Sequence, residues 1–377
     1  MTTRPFDVIV VGVGGMGSAT VYQLARRGMR VLGLERFDIP NDMGSSHGVT
    51  RIIRLAYFEH PSYVPLLRRS YELWRELQQA AGETLLHITG SVDAGTRESK
   101  VFQGSLRSCA LHDLPHEVLT SAELTQRFPG YRLPTDVMAV FQPDGGFLLP
   151  ERCVAAHVGA AQALGAEVHS REQVLGWEPL GDGVRVRTNL GSYEAARLVV
   201  TAGAWASTLV DRLAGLAQAE RQVVGWFQPR HPESFAEGRF PVFNVTVEEG
   251  HFYGFPVFGV PGFKVGRYHH LQEQTDPDQL DRGCYERDER VLRSFAERNF
   301  PDGAGPTVNL QVCLFTNSPD EHFIIDVHPD YPQVSIAAGF SGHGFKFCSV
   351  VGEIMADLAL EGATRHDIRL FRLGRFR

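Results

Sequence analysis

The fold of this chain follows from one stretch near its N-terminus, Asp7-Val-Ile-Val-Val-Gly-Val-Gly-Gly-Met-Gly17. The apolar run is typical of a buried parallel strand, and the glycines have the spacing G-x-G-x-x-G. A helical pattern from Met16 to Arg27 follows, and then a second apolar run, Val31 to Leu34, which ends at Glu35. This pattern predicts a strand, a helix and a second strand, with an acidic residue placed to bind a ribose hydroxyl.

Each glycine of this unit occupies a position where a side chain would hinder the fold or the binding of a ligand. Gly12 permits a tight turn, Gly14 lets the backbone approach a pyrophosphate, and Gly17 allows the helix to pack closely on the strand. The amides around Gly15, at the start of the helix, offer free N–H groups and the positive end of the helix dipole to phosphate. The unit therefore predicts a dinucleotide that contains ADP, and it does not distinguish NAD from FAD.

The composition is that of a globular enzyme with two domains. The chain has 377 residues, of which 43% are apolar and 21% charged, and its net charge is −7. A chain this long exceeds one ordinary core, and the acidic balance provides no basic surface for nucleic acid. No apolar run reaches the length of a membrane span and no signal peptide is recognisable, so we expect a cytoplasmic protein. The five cysteines lack the spacing of a metal site, which predicts reduced thiols and no bound metal.

The order of strand-like and helical segments predicts an α/β fold in which two domains interleave. Residues 1–85, 145–220 and 320–377 are assigned to a Rossmann-like dinucleotide-binding domain, because their apolar strands alternate with helices. Residues 86–144 and 221–319 are assigned to a substrate-binding domain. The second of these ranges alternates aromatic and β-branched residues, which favours a largely antiparallel sheet.

A loop after the first unit leads to a basic segment, Arg51-Ile-Ile-Arg54, with His47 shortly before it. If this segment is helical, its two arginines lie three positions apart on one face. They could then contact phosphate, a flavin or an anionic substrate. A solvated basic turn explains the same residues equally well.

A second glycine-rich loop, Gly339-Phe-Ser-Gly342-His-Gly344-Phe-Lys346, lies between a strand-like run and a helical segment. Its free amides and the helix dipole could stabilise negative charge on a bound group, and Lys346 would add a full positive charge. A lysine that faces solvent from the first turn of the helix is the alternative.

Four segments together resemble the monomeric sarcosine oxidase family, which also includes N-methyltryptophan oxidase, pipecolate oxidase and fructosyl-amino-acid oxidases. These segments are the opening glycine unit, Ser46–Arg54, Cys313–Asp326 and Gly339–Phe347. The resemblance covers nearly the full length of the chain. It implies that the dinucleotide-binding domain binds FAD and that the protein oxidises amines.

The resemblance implies that FAD is joined covalently, through its 8α-methyl group, to the sulfur of Cys313. A thioether of this kind changes the electronic properties of the flavin and prevents its loss. A buried apolar cysteine is the alternative for this position. The residues expected to bind the cofactor are Gly12, Gly14, Gly15, Gly17, Glu35, Arg36, Ser46, His47, Cys313, Gly342, Gly344 and Lys346.

The resemblance also implies roles for five basic side chains. Arg54 and Lys346 match a pair that holds the carboxylate of an amino acid, and two cations that converge on one carboxylate fix its orientation. His47 and Arg51 match residues close to the flavin ring. Lys264 matches a lysine at the face that reacts with oxygen, where a buried cation stabilises negative charge.

Three further positions match the family pattern less closely. His269 corresponds to the active-site histidine, but the segment after Lys264 is one residue longer here, which leaves His270 as an alternative. Phe315 replaces a tyrosine beside the substrate, so we expect a more apolar pocket that admits bulkier N-alkyl amino acids. Tyr253 resembles a residue of the pocket wall, although a core aromatic explains it nearly as well.

The implied reaction is oxidative demethylation of a secondary amine amino acid, such as sarcosine, by O2 and water. The products are formaldehyde, the primary amino acid and hydrogen peroxide, and the enzyme is expected to be a monomer. A cyclic or N-glycated amino acid (pipecolate, proline or a fructosyl amino acid) is the alternative substrate. An NAD-dependent dehydrogenase and a non-catalytic dinucleotide-binding protein are the alternatives from other classes.

Overall fold

The computed structural model describes residues 6–376, so residues 1–5 and 377 of the predicted domain ranges lie outside the described residues. Its helices are α1 (Gly15–Arg26), α2 (Val64–Ala81), α3 (Lys100–His112), α4 (Ser121–Arg127), α5 (Pro150–Ala163), α6 (Ala206–Leu209), α7 (Glu286–Asn299) and α8 (Cys348–Glu361). Its strands are β1 (Phe6–Val11), β2 (Val31–Leu34), β3 (Arg51–Ile53), β4 (Leu86–Ile88), β5 (Ser91–Thr96), β6 (Glu117–Thr120), β7 (Val137–Gln142), β8 (Gly146–Leu148), β9 (Glu167–His169), β10 (Val174–Leu180), β11 (Gly183–Thr188), β12 (Ser192–Val200), β13 (Gln218–Phe227), β14 (Val242–Val247), β15 (Gly250–Phe255), β16 (Phe263–Arg267), β17 (Thr307–Asn317), β18 (Ile324–Val327) and β19 (Val334–Ala338).

The first large sheet is built around β1, which pairs in parallel with β2 on one side and β12 on the other. β9 extends the sheet beyond β2, and β19 pairs in parallel with the C-terminal half of β12. β10, β11 and β18 complete the sheet through antiparallel pairs. α1 joins β1 to β2 and packs against α5 and α8. The predicted strand, helix and strand of the opening glycine unit are therefore confirmed.

The second large sheet has the strand order β17-β13-β16-β15-β14-β5-β7-β6. All of its neighbouring pairs are antiparallel except β14 with β5. Its aromatic side chains form a core of their own, in which the rings of Phe252 and Phe295 stack 3.8 Å apart. The predicted α/β fold with a largely antiparallel second sheet is confirmed. The second large sheet takes its strands from residues 91–142 and 218–317, while β3, β4 and β8 belong to a third sheet. The assignment of residues 1–85, 145–220 and 320–377 to one domain and of the remaining ranges to another stays a prediction.

The third sheet is small, in the order β3-β8-β4, and it corrects one expectation. The segment Arg51–Arg54 is not helical, because Arg51–Ile53 forms β3 and pairs with β8. Two consecutive isoleucines favour extended backbone, and the pairing satisfies their main-chain hydrogen bonds. Arg51 and Arg54 consequently have different surroundings. Within residues 6–376, none of the helices combines the length and apolar character needed to cross a lipid bilayer.

A buried ion pair attaches α7 to the second large sheet. Asp288, in the first turn of α7, accepts two hydrogen bonds of 2.9 Å from the guanidinium of Arg221 on β13. Both side chains are almost completely buried, and Nε2 of His270 lies 3.2 Å from the same carboxylate. Because neither charge is hydrated, each depends on the other for its stabilisation.

Replacement of Asp288 with alanine removes the two-point partner of the buried Arg221 charge and leaves it, among the described residues, only the single ion-pair contact with Glu273 at 3.2 Å. Breaking a buried pair in this way costs about 3–5 kcal/mol, so we expect Asp288→Ala to unfold at a clearly lower urea concentration, followed by tryptophan fluorescence. Arg290→Ala, on the exposed face of the same helix, is the control and should change stability by less than about 0.5 kcal/mol. An unchanged urea midpoint in the Asp288 variant would contradict this account of the pair.

Candidate active site

A long cleft runs from the first large sheet to the second. It begins where the carboxyl ends of parallel strands meet, at Gly12 after β1, Glu35 after β2, Thr201 after β12 and Gly339 after β19, and it ends against Cys313 in β17. About 1840 Å³ of space lies within the cleft, part of it open to solvent. Open α/β sheets bind their ligands at this edge. The cleft therefore connects the predicted dinucleotide site with side chains of the second sheet.

The glycine turn after β1 has the contacts of a phosphate-binding loop. A Cβ atom on Gly17 would lie 1.7 Å from the carbonyl oxygen of Gly12, so only glycine fits there. A Cβ atom on Gly14 would meet only the Ser46 hydroxyl, at 3.7 Å, so this backbone faces open space. The amide of Gly15 donates to the same hydroxyl at 3.1 Å. The N-terminal end of α1 is thus available to an anionic group.

The residues after β2 lie beside the glycine turn, at the end of the cleft that is far from Cys313. Glu35 is buried, and its carboxylate accepts hydrogen bonds from the amides of Val13 (2.8 Å) and Phe37 (3.0 Å). Burial raises the pKa of Glu35. Its oxygens retain lone pairs that can accept from a ribose hydroxyl. Arg36 lines the same end, and its guanidinium lies over the ring of Trp205.

Cys313 faces the inner end of the cleft, and positive charge surrounds its sulfur. Nη2 of Arg51 lies 3.5 Å from Sγ, and two backbone carbonyl oxygens hold this guanidinium in place. Burial alone would raise the pKa of the Cys313 thiol, but the charges of His47, Arg51 and Lys264 lower it to about 6. A thiol with this pKa is largely thiolate at neutral pH, which is its nucleophilic form.

His47 and Lys264 are buried behind this end of the cleft and do not line it. Nζ of Lys264 donates to the carbonyl oxygens of Gly48 (2.6 Å) and Thr50 (3.0 Å) and to the Thr50 hydroxyl (3.2 Å). Burial lowers the pKa of Lys264 well below that of an ordinary lysine. The His47 ring is buried beside the Cys313 sulfur, and a hydrogen bond between the two side chains contributes to the lowered pKa of that thiol.

Lys346 lines the cleft with its ammonium group, although its side chain is only 5% exposed. The alternative of a lysine that faces solvent is therefore wrong. Nζ donates to the carbonyl oxygen of His343 at 2.8 Å, which leaves two N–H groups for a ligand. Ser70 and Trp74 of α2 donate to the carbonyl oxygen of Lys346 and so fix its backbone. Burial, followed by repulsion from Arg54, lowers the pKa of Lys346 to about 7.

The loop before Lys346 is held by a neutral histidine. Gly342 and Gly344 line the cleft, and His343 between them is buried. Nδ1 of His343 accepts from the Tyr57 hydroxyl at 2.6 Å, while Nε2 donates to the carbonyl oxygen of Glu321 at 2.9 Å. Burial lowers the pKa of His343 to about 4, which agrees with this assignment of a single ring proton.

Arg54 lies outside the cleft lining, in a buried cluster of charges. Nη2 pairs with both carboxylate oxygens of Glu59, at 2.8 and 3.0 Å, and Nη1 donates to the carbonyl oxygen of Ala56 at 2.6 Å. Nε lies 3.6 Å from a carboxylate oxygen of Asp93. In this arrangement Arg54 could bind the carboxylate of a ligand only after Glu59 had released its guanidinium.

Aromatic side chains form the wall of the inner end. Tyr253, Phe255, Tyr268 and Phe315 all line the cleft. The rings of Tyr253 and Tyr268 meet edge to face at 5.2 Å, and those of Tyr268 and Phe315 lie 5.8 Å apart. Of these four, Phe255 and Tyr268 were not predicted from the sequence.

His269 and His270 are not among the side chains that line the cleft, but the ring of His269 meets that of Phe315, a residue of the lining, edge to face at 6.3 Å. The ring of His269 lies between the carboxylates of Glu220 (2.8 Å) and Glu321 (3.1 Å), and these hydrogen bonds raise its pKa to about 10. Its backbone is left-handed, with φ +51°. The assignment of His269 to the active site stays a prediction.

The cleft fits a flavin dinucleotide better than a metal. Among residues 6–376 there is no group of three or more His, Cys, Asp or Glu side chains that could hold a metal ion. Of the twelve residues expected to bind the cofactor, only Gly17 and His47 do not line the cleft. The open backbone at Gly14 and the thiolate character of Cys313 both suit a ligand that extends along it.

The comparisons with known proteins agree with this geometry. The family described as FAD dependent oxidoreductase (DAO) matches residues 7–358. A monomeric sarcosine oxidase from Streptomyces avermitilis is 45% identical over 371 residues, 97% of this chain and 96% of that protein. An N-methyl-L-tryptophan oxidase from Yersinia pestis is 36% identical over 374 residues, 99% of this chain and 100% of that protein.

A solved structure extends the agreement to the fold. NikD, described as an unusual amino acid oxidase essential for nikkomycin biosynthesis, is 27% identical and superposes with a TM-score of 0.85 over 98% of each chain. The resemblance read from the four sequence segments is confirmed. The chain belongs to the FAD dependent oxidoreductase family, in the group that contains the monomeric sarcosine oxidases.

Proposed function

We propose that this protein oxidises the N-methyl group of an N-methyl amino acid. The overall reaction combines the secondary amine with O2 and water and releases formaldehyde, the primary amino acid and hydrogen peroxide. The observation that carries the proposal is the inner end of the cleft, where Lys346 presents a buried ammonium with two free N–H groups beside an aromatic wall. The similarity to sarcosine and N-methyl-L-tryptophan oxidases supports this choice of substrate.

Different residues along the cleft would bind different parts of the cofactor. The glycine turn and the N-terminus of α1 would hold phosphate, and Glu35 would hold ribose. Arg51 and Cys313 would contact the redox-active ring, and His47 would act on it from behind the lining of the cleft. FAD, when bound, accepts the two electrons removed from the substrate and passes them to oxygen.

The substrate carboxylate is oriented first by Lys346. A charge-assisted hydrogen bond from a buried ammonium is short and directional, so it fixes one end of the amino acid. Arg54 adds a second contact if Glu59 gives up its two hydrogen bonds to the guanidinium.

The aromatic wall favours the reactive form of the amine. A secondary amine donates electrons only when it is neutral, and burial away from water disfavours the ammonium form. Among the described residues, the acidic side chains that line the cleft are Glu35 and Glu172, and both lie at the adenosine end rather than beside the wall. With phenylalanine at position 315, the wall also accommodates apolar substituents larger than those of sarcosine.

Arg51 supplies permanent positive charge where oxygen is reduced, and Lys264 adds charge when its amine is protonated. A desolvated cation that is held in place stabilises developing negative charge with little reorganisation. The backbone carbonyl oxygens of Gly48 and Thr50 hold the Lys264 ammonium in position for this role.

A peroxide-coupled assay tests the proposed function. The flavin-loaded protein is supplied in turn with sarcosine, N-methyltryptophan, other N-methyl amino acids, proline, pipecolate and fructosyl amino acids. We expect peroxide and equal amounts of formaldehyde from at least one N-methyl amino acid. Peroxide from only the cyclic or glycated substrates would favour the alternative oxidase, and no peroxide from any of them would contradict an oxidase.

Lys346 predicts how carboxylate binding depends on pH. Because the pKa of Lys346 is lowered to about 7, its ammonium form is complete below that pH and is lost above it. We expect the affinity for methylthioacetate, in which sulfur replaces the amine nitrogen of sarcosine, to fall as the pH rises through about 7. Lys346→Gln should weaken binding by about tenfold or more and remove this pH dependence.

The control for this measurement is Lys100→Gln, which removes an exposed lysine from α3. Its affinity and pH profile, measured by calorimetry, should match those of the wild type. A Lys346→Gln variant that still loses affinity above pH 7 would assign the titration to another group.

We further propose that Cys313 forms the covalent link to FAD. The thiolate character of its sulfur supports the attachment, since the thiolate is the reactive form of cysteine. After acid precipitation, the yellow colour should remain with the wild-type protein and with Cys284→Ala. It should be absent from the precipitate of Cys313→Ala. Flavin that separates freely from the wild-type chain would rule out the link.

The remaining proposals concern the oligomeric state and the cellular location of the protein. We propose a cytoplasmic monomer, as the name of the monomeric sarcosine oxidases suggests for those relatives. Light scattering of the purified protein is the direct test of the monomer.

A further inference from the structure

Asp93 is a buried carboxylate that the proposed reaction does not use. It lies on β5 and is 1% exposed. Ser105 Oγ donates to it at 2.8 Å and Asn244 Nδ2 at 2.9 Å. Buried carboxylates are rare in proteins unless a cation pairs with them. The only cation that the structure places within ion-pair distance of Asp93, among the described residues, is Arg54.

A row of cross-strand neighbours links Asp93 to the cleft. In the second large sheet, Tyr253 on β15 is directly opposite Asn244 on β14, and Asn244 is directly opposite Asp93 on β5. Directly opposed residues share one face of a sheet, and Tyr253 lines the cleft. Asp93 therefore lies on the face that carries the substrate wall, two strands further from it.

Asp93 and Glu59 place two carboxylates against the single charge of Arg54, and Lys346 is the other cation whose charge interacts with both of them. Glu59 pairs with Nη2 of Arg54, and Asp93 lies 3.6 Å from Nε. Aromatic rings of Tyr57 and Phe58 enclose the guanidinium at 4.5 and 4.4 Å, so little water shields these charges. Burial raises the pKa of Asp93, and the charge of Arg54 opposes this shift.

We infer that Asp93 is a specificity-determining residue that lowers the affinity of the site for the substrate carboxylate. It acts through Arg54, as a positioning residue: a substrate carboxylate that takes the place of Glu59 on this guanidinium still meets the fixed negative charge of Asp93 beside Nε. Substrates are therefore selected mainly by the amine and its apolar substituents at the aromatic wall, and less by the carboxylate. This inference rests on the proposed function, because it concerns the same substrate pocket.

The decisive variant is Asp93→Asn, which removes the charge and keeps the shape of the side chain. Its amide oxygen can accept from Asn244, and its NH2 group can donate to Ser105, whose hydroxyl already has the carbonyl oxygen of Ala56 as a second acceptor. Calorimetry at one pH measures the binding of methylthioacetate to the flavin-loaded protein. We expect Kd to fall about tenfold, because a like charge is removed from a poorly hydrated site. A merely structural role would give the opposite result, since a disturbed Arg54 binds carboxylate less well.

Glu117→Gln is the matched control. It removes one negative charge from β6, the edge strand of the same sheet, where Glu117 is exposed. Solvent screens that charge, so Kd should change by less than about twofold. If Asp93→Asn does not fold, Asp93→Ser provides the same loss of charge with a smaller side chain.

Two outcomes overturn the inference: a Kd that is unchanged or higher in the Asp93 variant, or no detectable binding by either form. Turnover gives a second readout, since KM for an oxidised N-methyl amino acid should fall in Asp93→Asn while kcat changes less than about threefold. Failure of the proposed function would appear separately, as a wild-type protein that releases no peroxide from any N-methyl amino acid.

Discussion

Positive charge that is buried without an equal number of carboxylates is the constraint on which this site depends. Around Cys313, the charges of Arg51 and Lys264 are met mainly by backbone carbonyl oxygens, and Glu151 is bonded to the amides of Gly48 and Val49. Carbonyl oxygens offset part of the desolvation cost of a cation but carry no net charge. The remaining field favours any group that becomes negative there, whether a thiolate, a bound group that gains electrons, or oxygen as it is reduced.

The use of lysine in this chain supports that reading. Among 37 basic residues, only Lys100, Lys264 and Lys346 are lysines, and the last two are buried at the site. A buried ammonium loses its proton readily, whereas a guanidinium stays charged. Arg51 and Arg54 therefore provide permanent charge, while the two lysines provide charge that responds to what is bound. The scarcity of lysine was a signal in the sequence that pointed to both positions.

Local patterns in the sequence were sufficient for the cofactor end of the molecule but not for the substrate end. The opening glycine unit is contiguous, so its strand, helix and turn could be predicted directly. Tyr268 lines the cleft just before a left-handed residue, His269, and no periodicity reveals that turn. The strand at Arg51–Ile53 forms because β8, far along the chain, pairs with it. The contact of Arg54 with Asp93 likewise requires the packing of distant segments, which sequence spacing cannot show.

Arg54 and Lys346 are therefore not equivalent halves of a carboxylate clamp. A carboxylate that binds Lys346 meets an ammonium with free N–H groups and, by its charge, keeps that group protonated. Arg54 must exchange one carboxylate for another, and burial of Glu59 does not make it give way by protonation, because the charge of Arg54 lowers the pKa of Glu59 to about 2. The gain from such an exchange is the difference between two paired states, which is smaller than the gain from pairing a free cation. In the proposed site, recognition of the carboxylate would thus rest on Lys346, and Arg54 would adjust its strength.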